Sequence, residues 1–252
     1  MTAVQQWMLS GSKRRGSPCE VLLHFDSGLQ DNGLHPGSWT LYREPANTSS
    51  VTGGKLLLNN NTAGINFISL IHANGRPEWD AAGDFCLELS LNTNTGDPLS
   101  IYASSDPANL VGSAASPLGI SDPGEWRFYN RYDSSAPFGR VFVFSYIPLA
   151  GSAFARTVKV NADATSAHQW AVSRVAGVLR LFRDGVLVDT AAGSNNDPVL
   201  CNTNGMGVGY LTPGNSSFLN HYGKGYFDEL RWTVGNGRYT GSYTPESAFE
   251  NP

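Results

Sequence analysis

The chain has 252 residues, of which 40% are hydrophobic and 15% charged, with 28 Gly, 14 Pro and a formal net charge of −4. This length suits one β-sandwich of about 200 to 250 residues, and a fold of that size buries about 70 to 75% of its unfolded surface, so the core needs neither disulfide nor metal. No basic run is longer than Lys13-Arg14-Arg15, which excludes a stripe that tracks a phosphate backbone and removes nucleic acid from the expected partners.

Residues 1–18 are polar, carry Gly11 and Gly16, and precede the first strand-like run. They read either as an arm that orders against a partner or as a frayed terminus. Gln5 and Gln6 lie ahead of the basic residues, the wrong order for a secretory signal, and no apolar run reaches the roughly 18 residues of a membrane span. The expectation is a soluble protein made in a cytoplasm, without membrane insertion.

From residue 19 onward the signals are those of strands. Runs at 21–25, 39–42, 55–58, 66–71, 85–91, 99–103, 126–132, 140–147 and 157–161 are each bounded by Gly, Pro, Asn, Asp or Ser. Within 85–91, Phe85, Leu87, Leu89 and Leu91 alternate with Glu88 and Ser90, a period of two that turns the four large residues to the core. Residues 169–190 read as a three-strand meander, because Ala176-Gly177 and Asp184-Gly185 each interrupt β-branched runs and suit two-residue turns with positive φ. Two more strands are expected at 207–211 and 226–234. No stretch has apolar residues at helical spacing, so any helix should be one turn. The expected class is all-β and antiparallel.

Cys19, Cys86 and Cys201 are odd in number and widely spaced, which fits neither a disulfide framework nor a zinc motif; reduced, buried thiols are expected. His24, His35, His72, His168 and His221 have no ligand spacing between any two.

Several segments together resemble one family. Leu22-Leu23-His24-Phe25-Asp26 is similar to its opening strand, Gly83-Asp84-Phe85 with Glu88 to its GDF strand, and Trp170 to Gly185 to its meander ending in Phe-x-Asp-Gly. Gly207-Val208-Gly209 fits its next strand. The most specific stretch is Phe227-Asp228-Glu229-Leu230-Arg231, followed by Gly237-Arg238-Tyr239-Thr240-Gly241 and Tyr243-Thr244-Pro245. The chain thereby resembles the concanavalin A-like, laminin G-like (LamG) jelly-roll domain of bacteriophage tail and virion proteins, over about half its length. Ser90 and Trp232 depart from the pattern, standing where the family has a Trp and a small aliphatic residue. Residues 92–164 carry no family motif.

The resemblance implies a jelly-roll sandwich over residues 19–252 behind an arm at 1–18. It implies a virion structural protein, a tail, fibre, baseplate or capsid-surface component, whose partners are other virion proteins and a host surface glycan. It also implies a homo-oligomer, by analogy a trimer, located on the virion. Relatives hold calcium at a loop rim, for which 26–32 and 195–197 are the oxygen-rich candidates; Asx-turns account for the same residues. No other cofactor is expected.

A glycosidase on this fold would need two carboxylates about 5 to 9 Å apart, and acids on one strand must alternate by two to share a face. Asp228 and Glu229 are adjacent, Glu88 has no acidic neighbour two residues away, and no G-x-S-x-G elbow exists. A non-enzymatic protein is expected, with a glycan-degrading enzyme and a free carbohydrate-binding module as the alternatives. Asp228 and Glu229 are read as structural acids that receive loop amides or pair with Arg231 or Arg238, next to Tyr239. For glycan contact the candidates are Trp79, Tyr129 and Tyr132 as stacking rings, with Asn60 and Asn94 on Asn-rich turns. Core packing or cross-strand pairing is the alternative for the rings.

Overall fold

The structure is a computed structural model that describes residues 19–26, 28–41, 50–58, 71–73, 76–92, 108–112, 124–132, 135, 137, 140–148, 156–162, 166–191, 197–201, 206–208 and 225–249. The expected arm at 1–18 and the expected strand at 99–103 lie outside them. The strands begin with β1 (Val21–Leu23), β2 (Thr40–Leu41), β3 (Ser50–Thr52), β4 (Lys55–Leu58), β5 (Ile71–Ala73), β6 (Phe85–Asn92) and β7 (Ala108–Gly112). They continue with β8 (Trp126–Tyr132), β9 (Arg140–Tyr146), β10 (Arg156–Asn161), β11 (Ala167–Val175), β12 (Val178–Arg183), β13 (Val186–Ala191), β14 (Met206–Val208) and β15 (Gly225–Val234). A single 3-10 turn, Pro77–Trp79, is the helix among the described residues.

The strands form an antiparallel jelly-roll sandwich. One sheet runs β13-β12-β11-β6-β15-β4-β3 with β1 also on β15, and the other runs β10-β9-β8-β7-β14-β5-β2. β15 holds the first sheet together. It pairs along one side with β6, and along the other with β4 through Gly225–Phe227 and with β1 through Leu230–Trp232.

Between the sheets the alternation expected of β6 is realised: Phe85, Leu87, Leu89 and Leu91 are all buried in the core. Rings fill much of the rest. Trp126 and Trp232 stack with centroids 4.8 Å apart and planes within 6°, and Phe142 stacks on Trp170 at 4.4 Å. A ring burying 150 to 250 Å² is worth about 4 to 6 kcal/mol as an upper bound. The Trp at 232 is thus the wedge that joins the sheets, and its indole N–H is satisfied by the Trp79 carbonyl at 2.9 Å.

Both expected hairpin turns form. Ala176 and Gly177 have φ of 49° and 76°, and Asp184 and Gly185 have 50° and 77°, the mirror-image geometry that matches the strand twist. One alternation fails. A strict period of two would put Tyr226, Asp228, Leu230 and Trp232 on one face of β15, but a bulge lies between Phe227 and Glu229. The extra residue moves Phe227 to the core side with Leu230 and Trp232, and it leaves Glu229 and Arg231 on the outer side. β3 and β7 carried no strand signal strong enough to anticipate; β3 forms because Gly53 and Gly54, with φ of 57° and 74°, turn it back on β4.

Ala176 sits where an L side chain is disfavoured, so Ala176→Gly should raise stability by about 0.5 to 1 kcal/mol in urea unfolding. Gly185→Ala should lower it by at least about 2 kcal/mol, because its Cβ would meet the Tyr243 carbonyl oxygen as well as the unfavourable φ.

Candidate functional site

The main charged cluster lies on the outer face of the first sheet. There Arg231 on β15 stands opposite Glu88, its register partner on β6. The two meet as a fork: Arg231 Nε donates to Glu88 Oε2 at 2.6 Å and Nη2 donates to Oε1 at 2.7 Å. Residues 235–249 then cross this outer face as a strap. Glu246 accepts from Arg231 Nη1 at 3.1 Å and from Arg238 Nη2 at 2.7 Å, and Tyr239 donates its hydroxyl to Glu88 Oε1 at 2.7 Å. Arg238 Nε also lies 3.3 Å from Glu88 Oε2. Two guanidinium groups and two carboxylates neutralise one another, with Arg231 and Glu88 side chains only 3% and 2% exposed.

Burial works against the Arg231 charge, but hydrogen bonds and attraction from Glu88 and Glu246 outweigh it and hold its pKa above the usual guanidinium range. Burial first, then the Glu88 charge, pushes the Tyr239 hydroxyl far up, so it stays a donor. Arg231 therefore stays charged and Tyr239 protonated through neutral pH. Glu88 is saturated with donors and has no role as a base. What the cluster can do is hold the strap, with help from Tyr239 stacked on Tyr243 at 3.6 Å and both rings edge-on to Phe182. Tyr243 N donates to the Gly185 carbonyl at 2.8 Å, which ties the strap to the second hairpin turn.

The motif acids take other partners than expected. Arg231 and Arg238 pair with Glu88 and Glu246, while Asp228, at the bulge, is half-exposed with Lys55 Nζ at 3.4 Å. Glu229 accepts the Phe249 amide at 2.9 Å, the loop amide anticipated for it, and pairs with His24 Nδ1 at 3.0 Å. Burial raises its pKa, opposed by those two hydrogen bonds. Glu246 was missed because nothing in local spacing marks an acid that reaches back across a sheet.

A second buried guanidinium closes one end of the sandwich. Arg174 Nε donates to the Gly83 carbonyl at 2.7 Å, Nη1 to that of Asp197 at 2.5 Å and Nη2 to that of Ala81 at 3.2 Å. Its face lies 4.7 Å from the Phe85 ring centre. Burial lowers its pKa, with Tyr146 the leading opposing influence.

Trp79 and Tyr129, the expected glycan contacts whose side chains are described, do not gather. Trp79 is wholly buried, stacks on Trp39 at 5.8 Å and donates its N–H to the His35 carbonyl at 3.0 Å. It is a core ring with no face for a sugar, which corrects its assignment. Tyr129 is 8% exposed on the outer side of the second sheet beside Val141 and Val143, with the Arg127 guanidinium 4.0 Å over its ring. Tyr132 ends β8 at the register position of Arg140, and Asn60 and Asn94 lie outside the described residues.

Asp31, in the 26–32 calcium candidate, is consumed by its own loop. Its Oδ1 accepts the Leu22 and Gly33 amides at 3.0 and 2.9 Å, and its Oδ2 accepts the Gly37 amide at 2.9 Å and the Trp39 indole N–H at 3.0 Å. The second candidate stretch, 195–197, is described only at Asp197. Among the described residues no three His, Cys, Asp or Glu side chains group in a way that could hold a metal. Three histidines each find a carboxylate: His24 with Glu229, His35 with Glu20 at 2.5 Å, and His168 with Asp184 at 2.7 Å. The three cysteines are free and buried, with burial pushing Cys19 up to about 11 and Cys201 up to about 12.

No protein-family model and no curated protein sequence matches the chain. Solved structures do. The chain is similar to botulinum neurotoxin type C, whose cell entry depends on interaction with two ganglioside molecules, with TM-score 0.57 and 9% identity over 86% of this chain and 48% of that one. It is similar to the binding domain of botulinum neurotoxin serotype D with TM-score 0.57 and 8% identity over the same shares. The Ruminococcus gnavus IT-sialidase CBM40 bound to α2,3-sialyllactose matches at TM-score 0.41 and 12% identity, over 61% of this chain and 77% of that one. The chain spans about half the length of the toxin structures, and at such identities the likeness is one of fold.

Removing one member of the cluster strands the others. Arg231→Met should cost roughly 3 to 5 kcal/mol in urea unfolding, and limited proteolysis should then cut within 235–249 before the rest of the sandwich.

Proposed function

We propose that the sandwich is a non-catalytic glycan-binding domain, and that it acts on a bacteriophage virion as a tail, fibre, baseplate or capsid-surface component. The observation that carries the non-catalytic reading is the engagement of the buried acids. Asp31, Glu88, Glu125 and Glu229 are the buried carboxylates among the described residues, and each has protein partners. A glycosidase needs one carboxyl free to give a proton and another free to attack or to activate water, and Glu88 and Glu229 are bound by guanidinium, imidazole and amide donors instead.

Glycan binding is supported by the fold held in common with the toxin structures, the type C toxin depending on ganglioside interaction. The virion setting is supported by the closing segment, residues 225–246, whose resemblance to phage tail proteins now has a physical content: it is the spine of one sheet together with its strap. In this reading residues 1–18 dock on the particle, residues 19–252 face outward, and the assembly is a trimer.

The purified protein should bind at least one glycan on an array without releasing reducing ends, and mass spectrometry should find it in intact particles. Deleting residues 1–18 should remove it from particles while its unfolding midpoint stays put. Reducing-end release would overturn the non-catalytic reading, an array with no binding would overturn the glycan, and absence from particles would leave a free carbohydrate-binding module.

A further inference from the structure

The side of the sandwich where β10 and β13 meet is closed by a carboxylate. β10 ends one sheet and β13 ends the other, so among the described residues each has a neighbouring strand on one flank only. Lys159, in the middle of β10, stands opposite Val143 of β9 in register, yet its backbone N–H points the other way and donates to Asp189 Oδ2 of β13 at 2.7 Å. The other oxygen of Asp189 accepts the Thr190 amide at 2.8 Å, which holds the carboxylate in place. Leu187, near the start of β13, gives its own N–H to Ser242 Oγ of the strap at 3.1 Å. Amides of both edge strands are thus taken up by side chains.

Asp189 comes to this place through a register shift. Counted on from the pair Phe182 and Leu187, a regular β13 would set Asp189 opposite Arg180; the pairing shifts by one residue and sets it opposite Leu181, a core residue. The acid therefore lies on the inner side of an edge strand. An apolar side chain there would bury more surface; what the carboxylate adds is a partner for the β10 amide. β10 itself is suited to strand addition. Val158 and Val160 are β-branched, Val158 is fully buried and anchors the strand, and antiparallel pairing of a strand with its own copy satisfies a two-fold axis, so a second copy fits this edge by symmetry. Bulges, inward-pointing charges and exposed lysines are the devices that keep sheet edges from such pairing. This side carries all three, Lys159 being exposed.

We infer that Asp189 is an assembly guard: by tying the central amide of β10 to β13, it keeps a second copy of the chain from adding to the β10 edge. The guard acts whatever the domain binds, so it stands apart from the glycan reading above. Any native oligomer then uses other surfaces.

The test compares the full chain with its Asp189→Ala and Asp189→Asn variants by sedimentation velocity over a range of concentrations and by amide hydrogen exchange. Asp189→Ala should form a concentration-dependent species of twice the wild-type mass, and at low concentration its Lys159 amide should exchange roughly 3- to 10-fold faster. Asp189→Asn keeps an acceptor oxygen and should stay at the wild-type mass. Adding Lys159→Pro to Asp189→Ala removes the donor without touching the ladder to β9, because that N–H points away from β9, and it should abolish the extra association. Should Asp189→Ala not fold, Asp189→Ser, one bond shorter than the native side chain, takes its place. Wild-type mass or unchanged Lys159 exchange in Asp189→Ala, association of Asp189→Asn, or association that survives Lys159→Pro each overturns the guard.

Discussion

The pairing of Arg231 with Glu88 is the constraint from which much of this molecule follows. Two full charges placed under a strap, each under 5% exposed, are tolerable only if their hydrogen-bonding capacity is met almost completely. The fork between them meets part of that demand, and Glu246, Arg238 and Tyr239 meet the remainder. Those three residues arrive on the strap, so the strap is held in one position by the need to neutralise a pair on the sheet. Replacing such a cluster with apolar residues could give equal stability, but it would leave the strap free to slide over a greasy surface. The charges fix its register.

Asp31 and Arg174 repeat this logic on a smaller scale. Each is a single ionic group satisfied by several protein groups, backbone amides and an indole in one case and backbone carbonyls in the other. Each pins irregular chain onto the sandwich without a metal or a disulfide. The result is a frame in which Asp31, Glu88, Arg174 and Arg231 are occupied by structure.

What the sequence made legible was local. The alternation in 85–91 gave the core face of β6, the extent of β8 matched its apolar and aromatic run, and Ala-Gly and Asp-Gly marked both hairpin turns, because each of these depends on neighbours within a few positions. The bulge at Asp228 was invisible, since a single extra residue changes no composition, yet it moves Phe227 to the core side. Trp79 was open to reading as a sugar-stacking ring or as core, because its burial depends on Trp39 and Trp232, far away in the chain. The partners of Arg231, of His24 and of Asp31 were likewise decided by which strands came to lie side by side, and periodicity carries no record of that.

The placement of β15 has a kinetic consequence. Its partners β1, β4 and β6 lie far upstream, and Trp232 pairs with Val21 across more than two hundred residues of chain. Until residues 225–234 leave the ribosome, β6 and β1 have an open edge and the aromatic core lacks its wedge. The first sheet must therefore close after most of the chain has been made, by a search over long loops that is slow. Exposed edges during that wait are sites for intermolecular pairing, so the yield of folded protein in a cell depends on what shelters the unfinished sheet.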